Sequence, residues 1–348
     1  MDRAFVAAAS PEDAGLILLE QAGHRVRPVL ERQVTGRLNQ VEKHAGYHLG
    51  WQDEKGRPCA GSSGKAVRPA LALASAKAVG GRSRDALTAA GAVQMVHEFS
   101  LLHDDIIDGD RTRRHRPTVW SVFGVPAGIL TGDLLLSLAF TTLADGPLRA
   151  APDSLRCLAD AVTELVEGEA LDVAFERRRH VSLSEYTAMA AAKTGALMAC
   201  ACTLGALAGG AGRERAQLLG AFGRHLGVAF QIVDDLLGLQ GDPAVTGKPV
   251  GADLAAGKKT MPLLAALASG TRQGQELAAL LAGSASPEGA VPARAALLVA
   301  EAGGVSAARS AVHGELTSAF AALAEAVPTG ADRDELRALA HVLTRRNH

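Results

Sequence analysis

The sequence predicts an all-α protein, a large bundle with several wholly buried helices, and three observations point there. Hydrophobic residues make up 48% of its 348 residues and aromatics only 3%, so the core must be built from Leu, Val and Ala. Alanine, the strongest helix former, recurs in clusters such as Ala190-Ala191-Ala192 and Ala265-Ala266. Apolar residues return at helical spacing, with no alternating strand pattern, no βαβ rhythm and no repeat of fixed period.

Residues 13–43 read mostly as helix, carrying Leu16, Leu18, Leu19, Val26, Val29, Leu30, Val34, Leu38 and Val41 at helical spacing. Pro28 is expected to kink or restart it. Residues 45–64 hold Gly46, Gly50, Gly56, Pro58, Gly61 and Gly64 and read as a loop. A helix is expected from Pro69 to about Val79, and another over 84–108. Residues 109–117, GDRTRRHRP, form a polar turn. Helices follow near 118–145, 153–178, 183–209 and 213–239. A loop with glycine and proline covers 240–258. Helices resume at Met261 and continue, with a loose stretch at 282–290, to the end. Several are apolar on more than one stripe, as central helices of a bundle are. Residues 1–348 read as a single domain.

The net charge of −1 does not point to nucleic acid or to an anionic membrane. Cys59, Cys157, Cys200 and Cys202 form no CxxC pair and read as free thiols of a reducing cytoplasm. Arg3, a short apolar run from Phe5 to Ala9, then Pro11, Glu12 and Asp13 do not make a signal peptide. No stretch reaches the ~18 apolar residues of a membrane span, since Asp133 interrupts the best one, Ala127 to Phe140. The expectation is a soluble, cytoplasmic protein without stable membrane insertion.

Two acidic constellations carry the chemistry. In VHEFSLLHDDIIDGDRTRRHRPT, Asp104 and Asp108 are four apart and share a helix face with His97. Like charges at that spacing repel, and the apolar neighbours Phe99, Leu101, Leu102, Ile106 and Ile107 raise the cost unless a cation compensates. Oxygen-only ligands suit Mg²⁺, which bridges one or two carboxylates to substrate phosphates. The arginines that follow, Arg111, Arg113, Arg114 and Arg116, suit phosphate oxygens. The second constellation, FQIVDDLLGLQGDPAVTGKPVGADLAAGKKTMPLL, repeats the order: Gln231, Asp234 and Asp235, then Lys248, Lys258 and Lys259 in a glycine-rich loop. GKP lacks the Walker A frame, and no Cys or His falls at zinc spacing.

Two smaller clusters add to these. Gly64-Lys65-Ala66-Val67-Arg68-Pro69 puts two cations at a helix start, where they oppose the macrodipole and an anion would explain them. Lys193-Thr194-Gly195 sits inside an apolar, alanine-rich helix.

Together GKAVRP, HEFSLLHDDIID, RTRRHRPT, KTG and FQIVDD with its lysine loop resemble the trans-isoprenyl diphosphate synthases, or polyprenyl synthetases, from about Gly64 to Leu264. The resemblance implies a bundle of long antiparallel helices around a deep central cavity, of isoprenoid synthase type, usually a homodimer. It implies a Mg²⁺-dependent prenyl transfer in which isopentenyl diphosphate attacks the allylic cation left when an allylic diphosphate ionises, with three Mg²⁺ per active site once substrate is bound. Asp104, Asp105, Asp108, Asp234, Asp235, Lys193 and Lys258 then form the catalytic set, and Asp104, Asp108 and Asp234 ligate the metal. Arg113, Lys193, Thr194, Gln231, Lys248 and Lys258 would hold the allylic substrate. Lys65, Arg68, His97 and Arg114 would hold isopentenyl diphosphate.

The chain departs from the family at one place: the second motif, usually DDxxD, reads DDLLG, with Gly238 where an acid is expected. Asp242, a further turn on, is a candidate substitute. Phe99 and Ser100, five and four residues before Asp104, are expected to floor the product cavity. One aromatic there resembles geranylgeranyl (C20) synthases, with farnesyl (C15) as the alternative. A class I terpene cyclase and a non-catalytic partner subunit are the rival readings.

Overall fold

The computed structural model describes residues 10–36, 39–59, 61, 64–146, 148, 152–240, 252–283 and 290–345. These are overwhelmingly helical. The contacts divide the chain into two compact units. One holds Met1–Val162, Cys200–Gly220 and Leu323–Val342, the other Thr163–Ala199, Ala221–Ala322 and Leu343–His348.

The first unit opens with α1 (Pro11–Val34), started by a reciprocal cap in which Asp13 N–H donates to Ser10 Oγ and Ser10 N–H to the Asp13 carboxylate. Its buried stripe runs Leu19, Ala22, Val26, Val29, Leu30 and Val34. Pro28 lies inside α1 without ending it, and the helix stops at Val34; α2 (Asn39–His48) follows. The loss of one N–H is outweighed here by the stripe that continues through Val29, Leu30 and Val34.

Next comes α3 (Val67–Ala78), starting two residues before Pro69, with nearly every side chain buried. Its alanines allow backbone-to-backbone approach: a Cβ on Gly205 would lie 2.1 Å from Ala72 O, and one on Gly209 2.5 Å from Ala76 O. A short 3₁₀ turn (Ser83–Ala86) leads into α4 (Leu87–Ile107), which packs on α1, α3 and α6. The polar turn holds a two-residue antiparallel ladder, β1 (Thr112–Arg113) with β2 (Arg116–Pro117), too short for an alternating pattern. The helix expected over 118–145 is two, α5 (Val119–Phe123) and α6 (Val125–Asp145), broken at Gly124 with φ 88°.

The second unit takes most of α7 (Pro152–Glu176), then α8 (Leu183–Ala190), a π-helical segment (Ala191–Gly195) and the start of α9 (Ala196–Ala208). It takes α10 (Arg213–Gln240) from residue 221 onward. After that come α11 (Ala252–Ala255), α12 (Met261–Leu267), α13 (Arg272–Gly283), α14 (Ala290–Glu301) and most of α15 (Gly304–Ala326). α16 (Ala331–Thr344) falls largely in the first unit. Two apolar clusters form the second unit's core. One gathers Phe175, Tyr186, Met189, Ile232 and Leu264; the other gathers Leu239, Leu254, Leu263, Leu277 and Leu298.

The expectation that no stretch approaches a membrane span needs correction. Val125–Asp145 and Leu183–Ala208 are each long and apolar enough to cross a membrane. Asp133 is the single charge ahead of the helix's terminal Asp145, and one interior charge does not undo the mean hydropathy. Of the most apolar window of Leu183–Ala208, 72% is buried inside the protein. All four cysteines are free, with Cys157 Sγ 3.8 Å from Cys200 Sγ.

Candidate active site

The first acidic motif closes α4. Asp108 N–H donates to Asp104 O at 2.8 Å, so the two carboxylates leave the helix one turn apart. Asp104 is half-buried and Asp108 exposed. Asp105 is turned to another purpose: it is 1% exposed and accepts from Arg113 Nε at 2.6 Å. Burial raises its pKa, and Arg113 pulls it back.

Arg113 belongs to the β1–β2 hairpin, whose central residues Arg114 and His115 have φ 52° and 61°. A turn of this hand usually takes Asn or Gly. A non-glycine residue in the left-handed region costs about 1–2 kcal/mol. Neighbours hold the turn in place. Arg116 donates to Tyr47 O at 3.2 Å and Gln52 O at 3.1 Å, and Tyr47 Oη donates to Pro117 O at 2.8 Å. Gly64, at φ 83°, makes room for Arg114, since a Cβ there would lie 2.5 Å from the guanidinium. Lys65 is exposed and Arg68 half-buried on either side of Ala66, itself at φ 47° and capping α3 without a side-chain bond.

His97 Nδ1 is buried with no hydrogen-bond partner among the described residues. Burial, then the charge of Arg68, with Arg114 and Arg113 behind it and Glu98 opposing, holds its pKa well below 6.5. The ring is therefore neutral at pH 7. Glu98 next to it is 0% exposed. Gln94 Nε2 donates to it at 2.6 Å, Arg114 Nη2 lies 3.6 Å away, and His48 Nε2 is 2.8 Å from Oε2 without good hydrogen-bond alignment. Burial pushes the Glu98 carboxyl up, but Arg114, His48 and His97 together outweigh burial and hold it far below its ordinary 4.5. Phe99 is buried with its ring 4.8 Å from that of His103, edge on, and Ser100 Oγ donates to His97 O at 2.9 Å.

In the second unit Asp234 is half-buried and Asp235 buried. Asp235 accepts from Tyr186 Oη at 2.6 Å, Met261 N–H at 2.9 Å and Gln231 Nε2 at 3.1 Å. Burial overrides these donors and pushes its pKa up to about 7. Gln231 Oε1 in turn accepts from Thr194 Oγ1 at 2.7 Å. Asp235 thus ties α8, α10 and the start of α12 together. Lys193, in the π segment, sets Nζ 2.6 Å from Glu169 Oε2 and 2.5 Å from Asp172 Oδ2. Gly168 permits that approach, because a Cβ on it would lie 2.3 Å from Lys193 N. Lys258 is half-buried after α11. Lys248 and Asp242 lie outside the described residues.

Asp104, Asp105, Asp108, Lys65, Arg68, His97, Arg113, Arg114, Phe99 and Ser100 fall in the first unit, and Asp234, Asp235, Lys193, Thr194, Gln231 and Lys258 in the second. Sequence reasoning missed Glu98, His48, Tyr186, Glu169 and Asp172. Glu98 was signalled by an acid inside the apolar run VHEFSLL, and Glu169 with Asp172 by their three-residue spacing. Nothing local marked Tyr186.

The carboxylates of Asp104 and Asp108 in the first unit, and that of Asp234 in the second, are each the kind of all-oxygen donor that a hard divalent cation takes. Among the described residues no group of three or more His, Cys, Asp and Glu is gathered to hold an ion. Mg²⁺ suits such donors, for it takes one or two carboxylates and completes its shell with phosphate and water oxygens.

The polyprenyl synthetase family profile matches residues 51–297. The geranylgeranyl diphosphate synthase of Mycobacterium tuberculosis is 44% identical over 99% of this chain and 98% of its own. The (2E,6E)-farnesyl diphosphate synthase of Mycobacterium bovis is 46% identical over 76% of this chain and 74% of its own. A crystal structure of a polyprenyl synthetase from Streptomyces coelicolor A3(2) superposes with a TM-score of 0.86 at 42% identity, covering 94% of this chain and 98% of that one. Members of the family are isoprenyl diphosphate synthases and in general depend on a divalent metal. On the profile, the full-length identity and the shared all-α fold, the chain belongs to the polyprenyl synthetase family.

Proposed function

We propose that the chain condenses isopentenyl diphosphate head-to-tail with allylic diphosphates and stops at geranylgeranyl diphosphate (C20). The observation that carries the reading is the division of labour in the first motif. Asp105 is engaged by Arg113, while Asp104 and Asp108 leave the helix together one turn apart. The unpartnered Nδ1 of His97, ringed by the charges of Arg68, Arg114 and Arg113, supports an anionic ligand beside them.

Asp104, Asp108 and Asp234 are the metal ligands in this reading. Mg²⁺, three ions per active site with substrate bound, supplies charge that eases departure of the diphosphate. Arg113 is oriented by Asp105, and Lys193 by Glu169 and Asp172. With Thr194, Gln231, Lys248 and Lys258 they hold the allylic diphosphate. Lys65, Arg68, Arg114 and neutral His97 hold isopentenyl diphosphate. The allylic C–O bond breaks and diphosphate leaves with the electron pair. The double bond of isopentenyl diphosphate then forms the new C–C bond, and loss of a proton restores a double bond. Asp235, buried and bonded on three sides, positions Gln231 rather than touching substrate.

Full-length similarity to a geranylgeranyl synthase supports C20; 46% identity to a farnesyl synthase keeps C15 as the second reading. A homodimer in the cytoplasm completes the proposal; the pairing is supported by the apolar residues Val125, Ile129 and Leu130 that α6 exposes. The test is incubation with isopentenyl diphosphate, Mg²⁺ and each of the C5, C10 and C15 allylic starters, with product length read by chromatography. Elongation should end at C20, and Asp104→Ala should abolish turnover with its circular dichroism unchanged. Full activity in that variant would sink the metal assignment.

A further inference from the structure

We propose that His48, the last residue of α2, is a positioning residue for isopentenyl diphosphate: through Glu98 it sets the orientation in which the Arg114 guanidinium meets the diphosphate. The proposal rests on the assignment of Arg114 to isopentenyl diphosphate made above. The residues concerned all belong to the first unit. Packing alone does not fix Arg114. Its backbone stands at φ 52°, in the left-handed region that a side chain disfavours. Gly64 opens a slot on one side, where a Cβ would lie 2.5 Å from Arg114 Nη2 and 2.7 Å from its Cζ. A cavity of about 30 Å³, to whose lining His48, Arg113, Arg114 and Arg116 contribute, leaves the guanidinium room to shift.

The anchor is Glu98, wholly buried on α4. Its two oxygens have separate tasks. Oε1 accepts from Gln94 Nε2 at 2.6 Å and faces Arg114 Nη2 at 3.6 Å, while Oε2 lies 2.8 Å from His48 Nε2. An ionised carboxylate at that distance repels a ring lone pair, so the Nε2 edge of His48 carries its proton. The His48 side chain is 6% exposed, turned to Glu98 rather than offered to a ligand. A carboxylate left to Arg114 and Gln94 would draw the guanidinium onto itself and take its donors away from a phosphate. His48 shares that charge, and the Arg114 contact stays at 3.6 Å, longer than a hydrogen bond. The preceding residue holds the far side of the hairpin: Tyr47 Oη donates to Pro117 O at 2.8 Å, and Arg116 Cζ sits 4.5 Å from the centre of the Tyr47 ring. The end of α2 therefore grips the hairpin twice. Tyr47 and His48 precede the residues 51–297 that the family profile matches, so this grip comes from outside the matched motifs.

The test is steady-state kinetics with each substrate varied in turn, with circular dichroism beside it. His48→Leu should raise KM for isopentenyl diphosphate about tenfold. Its kcat, and its KM for the allylic diphosphate, should stay within about twofold of wild type. His48→Gln, long enough to bring an N–H to Oε2, should recover most of the loss; His48→Asn, too short, should not. In a double-variant cycle with Glu98→Gln the two losses should not add, because His48 acts through that carboxylate. An unchanged KM for isopentenyl diphosphate in folded His48→Leu overturns the proposal, as do additive losses in the cycle or equal losses for both substrates. Should His48→Leu not fold, the two amide variants decide: recovery in His48→Gln alone supports the proposal, and equal KM values overturn it. Arg114→Gln separates the two levels. If it leaves KM for isopentenyl diphosphate unchanged, the reading of Arg114 fails and the proposal with it. A raised KM in Arg114→Gln beside an indifferent His48→Leu overturns the positioning role alone.

Discussion

A carboxylate buried as completely as that of Glu98 needs compensation from every side. Gln94, Arg114 and His48 supply it. Breaking one partner of such a buried network costs about 3–5 kcal/mol, because the others are left uncompensated. Glu98→Gln keeps the shape and loses the charge, so we expect a loss of about 3 kcal/mol in urea unfolding at pH 7. The sign with pH follows from linkage. The folded pKa lies below the ordinary 4.5, so this stabilisation is complete above 4.5 and is lost as pH falls through the folded value. The gap between wild type and variant should therefore narrow below pH 4.5. A gap that stays constant down to the acid limit would show that Glu98 is not the charge that matters. His97 works in the same direction from another cause. Its depressed pKa makes the native state lose stability as pH falls below 6.5, where the unfolded chain takes up the proton.

Elements here are shaped by where backbones must meet. The π segment Ala191–Gly195 interrupts one long run of helix, and such bulges concentrate at functional sites. It presents Lys193 to Glu169 and Asp172 on α7, while Gly168 lets the two backbones touch. Backbone cannot yield as a side-chain tip can. Gly168→Ala should cost about 1–3 kcal/mol through overpacking. Displacement of Lys193 should lower kcat/KM for the allylic partner by up to ~100-fold. KM for isopentenyl diphosphate, assigned to residues of the other unit, should hold. Equal losses for both substrates would argue that Gly168 acts on the fold alone. The β1–β2 hairpin shows the same economy of means: two residues in left-handed conformation aim Arg113 and Arg114, and the Arg116–Tyr47 contacts hold them there.

At the scale of the molecule, α6 is a long apolar helix of which only 44% of the most apolar window is buried within the chain, with Leu130 58% exposed. A single exposed leucine needs no explanation, but Val125, Ile129 and Leu130 together form a patch. Sedimentation should give twice the chain mass of 35.8 kDa. Leu130→Glu should shift the protein toward monomer with a dissociation constant raised at least about tenfold. An unchanged dimer in that variant would assign pairing to another face.

Fold class, helix periodicity and both acidic motifs are legible in the sequence, because each rests on spacings of three, four and seven residues that a helix turns into a shared face. Alanine and glycine content also announces close helix packing, as Gly205 against Ala72 bears out. The continuation of α1 through Pro28 was not legible, since a tertiary stripe outweighs a local breaker. Nor was the identity of each charge's partner. Tyr186 reaches Asp235 across 49 residues, Lys193 reaches Asp172 across 21, and Asp253 fills the space above Gly238 after a loop. Local spacing decides which side chains share a surface; which distant segment packs against them is decided when the cores of Leu239 and Leu254 or of Tyr186 and Ile232 close. Buried charge is tolerated only where tertiary packing delivers its partner.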